Sequence, residues 1–133
     1  MRKAVDIALK VVLSLILVMP ILGLVGVFPA PTPDLYNTPQ AFQFIETITV
    51  GRYITIIMAL VHVVALVCLW TRRTALAALL ILPITVNVVG FHAFLDDGLL
   101  TLGAVLGNIM LLINAYLIWQ HRREYAPLLA QTS

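Results

Sequence analysis

The sequence predicts an all-α polytopic membrane protein: a four-transmembrane-helix bundle with a short external half-helix between the first and second spans. Three observations carry this. Four apolar runs, Val11–Phe28, Ile54–Trp70, Ala75–Leu95 and Leu99–Trp119, contain no Lys, Arg, Asp or Glu and match the roughly 17–25 residues that a spanning helix needs. Hydrophobic residues make up 62% of the chain and charged residues 11%, too few polar groups to cover a soluble core. The basic residues stand in small clusters at the ends of the runs, where they act as topology signals and not as a nucleic-acid surface.

With 133 residues the chain has room for one transmembrane domain, 1–133, with spans at about 8–28, 53–70, 75–95 and 99–119 and an external loop at 29–51. Any chemistry must then lie inside the helices or in that one long connection. Arg2, Lys3, Lys10, Arg72, Arg73, Arg122 and Arg123 fall on one side of four successive crossings and only Arg52 on the other. The positive-inside rule therefore makes both termini cytoplasmic. Cysteines at Thr38 and Gly98 are expected to meet an impermeant thiol reagent from outside, and one at Thr132 is not.

The first span opens on basic residues, as a secretory signal does. Its apolar stretch is too long for a signal, and Val27-Phe28-Pro29-Ala30 offers no small-x-small cleavage site, so a retained helix is expected. In the connection, Pro29, Pro31 and Pro33 favour extended chain, and Thr38-Pro39 reads as an N-cap followed by proline at the first helical position. The short helix that follows would place Phe42 and Ile45 on one side and Gln43, Glu46 and Thr47 on the other. Tyr36, Tyr53, Trp70 and Trp119 sit where amphipathic aromatics anchor at headgroup level.

The second span carries His62 on a face with Thr55, Ala59 and Ala65, which turns it toward the bundle. The lone Cys68 has no resolving partner, so thiol–disulfide exchange within this chain is excluded. In the third span Pro83 opens the helical ladder at Leu79, Asn87 follows one turn later, and His92 stands at the outer mouth one turn from Asp96. The fourth span contains Gly103-x-x-x-Gly107, a small-residue pattern continued by Asn114, which predicts a helix-packing face of Gly103, Gly107 and Asn114. Counted from the outer helix ends at 1.5 Å per residue, His62 lies roughly 15 Å deep and Asn87 and Asn108 roughly 13 Å deep. The inference is one polar level at the midplane, with Ser14 and Asn114 forming a second level nearer the cytoplasm.

Metal chemistry finds little support in this pattern. His62 and His92 lie some 6–9 Å apart, roughly, along the membrane normal, whereas axial haem ligation needs nearly opposed nitrogens. No Cys or carboxylate shares the level of either histidine to complete a zinc site. No metal site is assigned.

The stretch Leu82-Pro83-Ile84-Thr85-Val86-Asn87-Val88-Val89-Gly90-Phe91-His92-Ala93-Phe94-Leu95 resembles the Pro-Ile-x-x-Asn-x-x-x-Phe-His-x-Phe signature of DoxX-like small bacterial membrane proteins. Gln40-Ala41-Phe42 leading to Gly51-x-Tyr53 is similar to that family's external half-helix. Asn114-x-Tyr116 and Arg123-x-Tyr125-x-Pro127-Leu128 are similar to its last helix and tail. The resemblance implies a four-helix bundle in a bacterial cytoplasmic (inner) membrane. It also implies a link to quinone-dependent oxidation or to membrane oxidative-stress complexes. Where many relatives carry Glu in the second span, this chain has His62, preceded by Met58.

Three functional readings stay open. The first is a non-enzymatic accessory or assembly module of a membrane complex, because the residues offer no evident nucleophile, metal cluster or acid–base pair. The second is a quinone-binding subunit of an oxidoreductase system, with His62, Asn87, His92 and Asn108 as the candidate ligand-binding residues and a quinone as the one cofactor considered. The third is a small transporter or proton path, for which intramembrane ionisable groups are the usual sign. Expected partners are the lipid bilayer, other membrane-complex subunits or further copies of the chain, and not nucleic acid.

Overall fold

A computed structural model describes residues 1–130, with Arg2 represented by its backbone; the probe position Thr132 lies outside the described residues. Six helices follow one another: α1 (Arg2–Leu24), α2 (Pro39–Gly51), α3 (Tyr53–Trp70), α4 (Thr74–Phe94), α5 (Val105–Gln120) and α6 (Arg122–Leu129), with a 3-10 turn at Pro33–Leu35. No strand occurs among the described residues. Three helices, α1, α3 and α4, are long and apolar enough to cross a membrane, while α5 is apolar but has 16 residues.

The helices pack in the order α1, α3, α4, α5, and α5 closes back on α1 along a short stretch only. Ala65 of α3 and Ala77 and Ala78 of α4 are fully or almost fully buried, and such small side chains let helix backbones approach closely. Leu13 and Leu17 of α1 and Leu117 of α5 fill the centre. The outward faces are apolar as well. Leu15, Ile57, Leu60, Val64 and Leu112 are each at least half exposed, the reverse of a water-facing surface and the surface expected of a membrane protein.

Polar side chains bind the half of the bundle nearer the chain termini. The Trp70 indole N–H donates to Ser14 Oγ at 3.0 Å, and that hydroxyl donates to the Lys10 carbonyl at 2.7 Å. Asn114, fully buried, donates from Nδ2 to the Ala78 carbonyl at 2.9 Å, while its Oδ1 has no partner. The expected second polar level is therefore two separate interhelical ties, α1 to α3 and α5 to α4. Asn114→Leu should cost no more than about 1 kcal/mol, because it loses one interhelical bond yet also removes an unsatisfied oxygen. Asn114→Ala should cost about 2 kcal/mol, since a void is added. Reversible unfolding in detergent micelles ranks the two, and equal costs would contradict this account.

Two helix boundaries differ from expectation. The first span was expected over 8–28, but α1 begins at Arg2 and ends at Leu24. Arg2, Lys3, Ala4, Ala8, Leu9 and Lys10 are good helix formers and carry the helix back beyond the apolar run. At the other end Gly26, with φ 82°, stops it: the Val27 N–H donates to the Leu22 carbonyl at 2.9 Å and the Gly26 N–H to the Gly23 carbonyl at 3.1 Å, a Schellman cap that favours glycine. The fourth span was expected from Leu99, yet α5 starts at Val105. Residues 99–104 form turns instead, and Asn108 Nδ2 donates to the Leu99 carbonyl at 2.7 Å; Thr101 and Gly103 are weak helix formers there.

Gly103 thus lies before α5 and not on a helical face with Gly107 and Asn114. Gly107 does sit at a close helix contact, since a Cβ there would stand 3.0 Å from Val88 Cγ1. The expected cap on α2 is present: Thr38 Oγ1 accepts the Ala41 N–H at 3.1 Å, with Pro39 at the first helical position.

Candidate functional site: the His62 cavity and the Asp96 latch

A cavity of about 220 Å³ lies in the half of the bundle nearer the 29–51 connection. All four long helices contribute: Met19 and Pro20 from α1, Met58 and His62 from α3, Ile84 and Val88 from α4, and Leu106, Gly107 and Met110 from α5. Local sequence explains the space. Pro20 lacks an N–H and so leaves the Ile16 carbonyl without its helical donor at the same wall. Gly107 withholds a side chain, and α1 and α5 meet too briefly to close the gap between them.

His62 is the polar group in this otherwise apolar lining. Its side chain is 2% exposed, and neither Nδ1 nor Nε2 has a hydrogen-bond partner. The Leu17 carbonyl of α1 stands beside the ring without forming a bond of normal geometry. A buried polar group in that state costs about 1–3 kcal/mol, and native proteins retain few of them. A neutral imidazole offers one donor and one acceptor; both nitrogens lie in the wall of this apolar cavity, each closed off from its free space. Three of the chain's four methionines, Met19, Met58 and Met110, surround the same space. Their flexible, polarisable side chains adapt to planar or irregular guests.

The other candidate ligands stand elsewhere. Asn87 is exposed on the outer side of α4, Asn108 is committed to the Leu99 carbonyl, and His92 Nδ1 lies 2.9 Å from Asp96 Oδ2. The expected midplane polar level is therefore not formed. The later start of α5 puts Asn108 in its first turn, and the phase of α4 turns Asn87 away from the buried Ile81 and Thr85. Of the four candidates, His62 alone lines the cavity.

Asp96, which the sequence reading placed beside His92 without assigning it a role, organises a second cluster. Its side chain is almost fully buried; Oδ1 accepts the Asn37 N–H at 2.8 Å while Oδ2 meets His92. Asn37 Nδ2 donates back to the Asp96 carbonyl at 3.3 Å, and the Thr38 hydroxyl donates to the Leu95 carbonyl. Three hydrogen bonds thus fasten the start of α2 to the end of α4. Phe91 packs edge-on to Tyr36 at 6.3 Å and against Phe44 at 5.8 Å. The Tyr36 ring is part of this latch. Burial, and secondarily the Asp96 carboxylate, push its hydroxyl pKa above the usual phenol value.

Among the described residues no three His, Cys, Asp or Glu side chains are grouped to hold a metal ion. Cys68 is buried near the far end of α3. Comparison with protein-family models finds no match, and comparisons with curated proteins and with solved structures likewise find none.

Proposed function

We propose that the chain is a multi-pass protein of a bacterial cytoplasmic membrane, with α1, α3, α4 and α5 as its spans and both termini cytoplasmic. In this reading it is a non-enzymatic accessory module that holds a quinone-type lipid in the cavity at His62. The observation that supports it most is the imidazole itself: a donor and an acceptor, buried and unpartnered, in an apolar space walled by methionines. A quinone head supplies the complement, since its carbonyls accept from His62 and a quinol hydroxyl donates to it. The resemblance of the third span to DoxX-like proteins points the same way.

The shortness of α5 is compatible with a span. Its 16 residues reach about 24 Å, and Leu102, almost fully exposed in the preceding turns, extends the apolar surface toward a core of about 30 Å. The test of the ligand is purification into native nanodiscs with mass spectrometry of the retained lipids, followed by titration with a short-chain quinone. Near-stoichiometric quinone is expected; no uptake at saturating quinone would overturn the ligand reading.

Topology has its own test. In a Cys68→Ala background, cysteines at Thr38 and Leu100 should react with an impermeant maleimide in intact cells, and one at Thr71 should react only after lysis. Leu100 replaces Gly98 as a probe because Gly98 has φ 104°, where a side chain is strained. Labelling of Thr71 in intact cells would reverse the orientation.

A further inference from the structure

We propose that the protein pairs with a second copy of itself through the outer face of α4, with Asn87 facing Asn87 across a two-fold axis along the membrane normal. In the central turns of the four long helices, among the described residues, Asn87 is the one exposed strongly polar side chain; the other exposed positions there are apolar. It makes no side-chain hydrogen bond within the described chain. An amide left against hydrocarbon is costly.

The residues around it have the spacing of a helix seam. Leu76, Leu80, Pro83, Asn87, Gly90 and Phe94 repeat at alternating intervals of four and three, the heptad rhythm of two helices in prolonged contact; Leu80 stands at the edge of this row, partly buried against the bundle's own core. This stripe lies about 200° around α4 from Ile81 and Thr85, which face the bundle. Leu76 and Phe94 at its ends are 44% and 88% exposed, and nothing lies within 4 Å of where a Gly90 Cβ would stand. Gly90 thus leaves room for a close backbone one turn from Asn87, and Pro83 leaves the Leu79 carbonyl short of its helical donor on the other side.

The occupant follows from the chemistry of the amide. A helix of another protein would need a donor and an acceptor at this depth. A second copy, inserted in the same orientation, has them necessarily: a two-fold along the normal brings identical residues together at one level, and a primary amide is self-complementary there. A single asparagine in an otherwise apolar heptad seam also fixes register.

The inference depends on α4 crossing the bilayer, which thiol labelling tests separately, and it is independent of any ligand at His62. In Cys68→Ala protein reconstituted in liposomes, single cysteines at Leu76 and Gly90 should form disulfide-linked dimers with copper phenanthroline. Val86 on α4 and Leu60 on α3, equally outward but off the stripe, should give many-fold less. Energy transfer between labelled copies, titrated over the protein-to-lipid ratio, should show Asn87→Leu weakening the dimer at least tenfold and Asn87→Gln retaining most of it. Asn87→Leu removes an exposed polar group, so its monomer should fold at least as well as the parent. Monomers at every ratio, equal cross-linking off the stripe, undiminished association of Asn87→Leu, or a different protein found on this face would each overturn the proposal.

Discussion

Asp96→Ala should release the 33–51 segment from the end of α4 and cost about 3 kcal/mol of stability. The substitution orphans two groups at once. The Asn37 N–H loses its acceptor at 2.8 Å and His92 Nδ1 loses its partner at 2.9 Å, in a site where the carboxylate itself is 2% exposed. Each unsatisfied buried group is worth about 1–3 kcal/mol, somewhat less if the freed segment lets water in. Asp96→Asn is the informative companion. Its amide oxygen still accepts from Asn37, and its NH₂ donates to His92 if that ring moves its proton to Nε2. It should therefore recover more than half of the loss. Unfolding in detergent gives the energies, and hydrogen exchange over residues 37–51 gives the place. Unchanged exchange in a folded Asp96→Ala protein would show that Asp96 does not hold the segment.

How far such a site is legible in the sequence depends on whether the signal is local. The helices, the Thr38-Pro39 cap and the inward turn of His62 follow from runs and phases within a few residues of one another. So does the spacing from His92 to Asp96. Depth is not local. The midplane level of His62, Asn87 and Asn108 assumed that each apolar run is helical to its end, whereas a side-chain bond from Asn108 to the Leu99 carbonyl holds the first residues of the fourth run in turns. Gly103 lost its place on the packing face for the same reason. The Asn37 partner of Asp96 is 59 residues away, and only the closure of the bundle brings the two together. The cavity too is a collective product, of Pro20, Gly107 and a loose α1 to α5 contact on three different stretches of chain.

His62→Leu should make the ligand-free protein more stable and at the same time abolish most of its affinity for quinone. If the ring stood in a structural hydrogen bond, removing it would weaken the fold. Here both nitrogens lack partners in a 2% exposed side chain, so a leucine of similar size removes a desolvation cost of about 1–3 kcal/mol and keeps the packing. Met58 and Met110, on the same wall, can adjust to the change of shape. Affinity should move the other way. Loss of the one side-chain donor and acceptor lining the cavity should weaken binding at least tenfold, about 1.4 kcal/mol. His62→Gln keeps both functions on a more flexible stem and should fall between the two. The decisive measurement is thermal unfolding of all three proteins in matched lipid, with and without saturating short-chain quinone. Ligand that binds only the folded state raises its apparent stability in proportion to ln(1 + [L]/Kd). The wild type should gain from quinone and His62→Leu should not. A leucine variant less stable than wild type without ligand would mean that the imidazole has a structural partner. A leucine variant that still gains the full stabilisation would mean that quinone binds elsewhere.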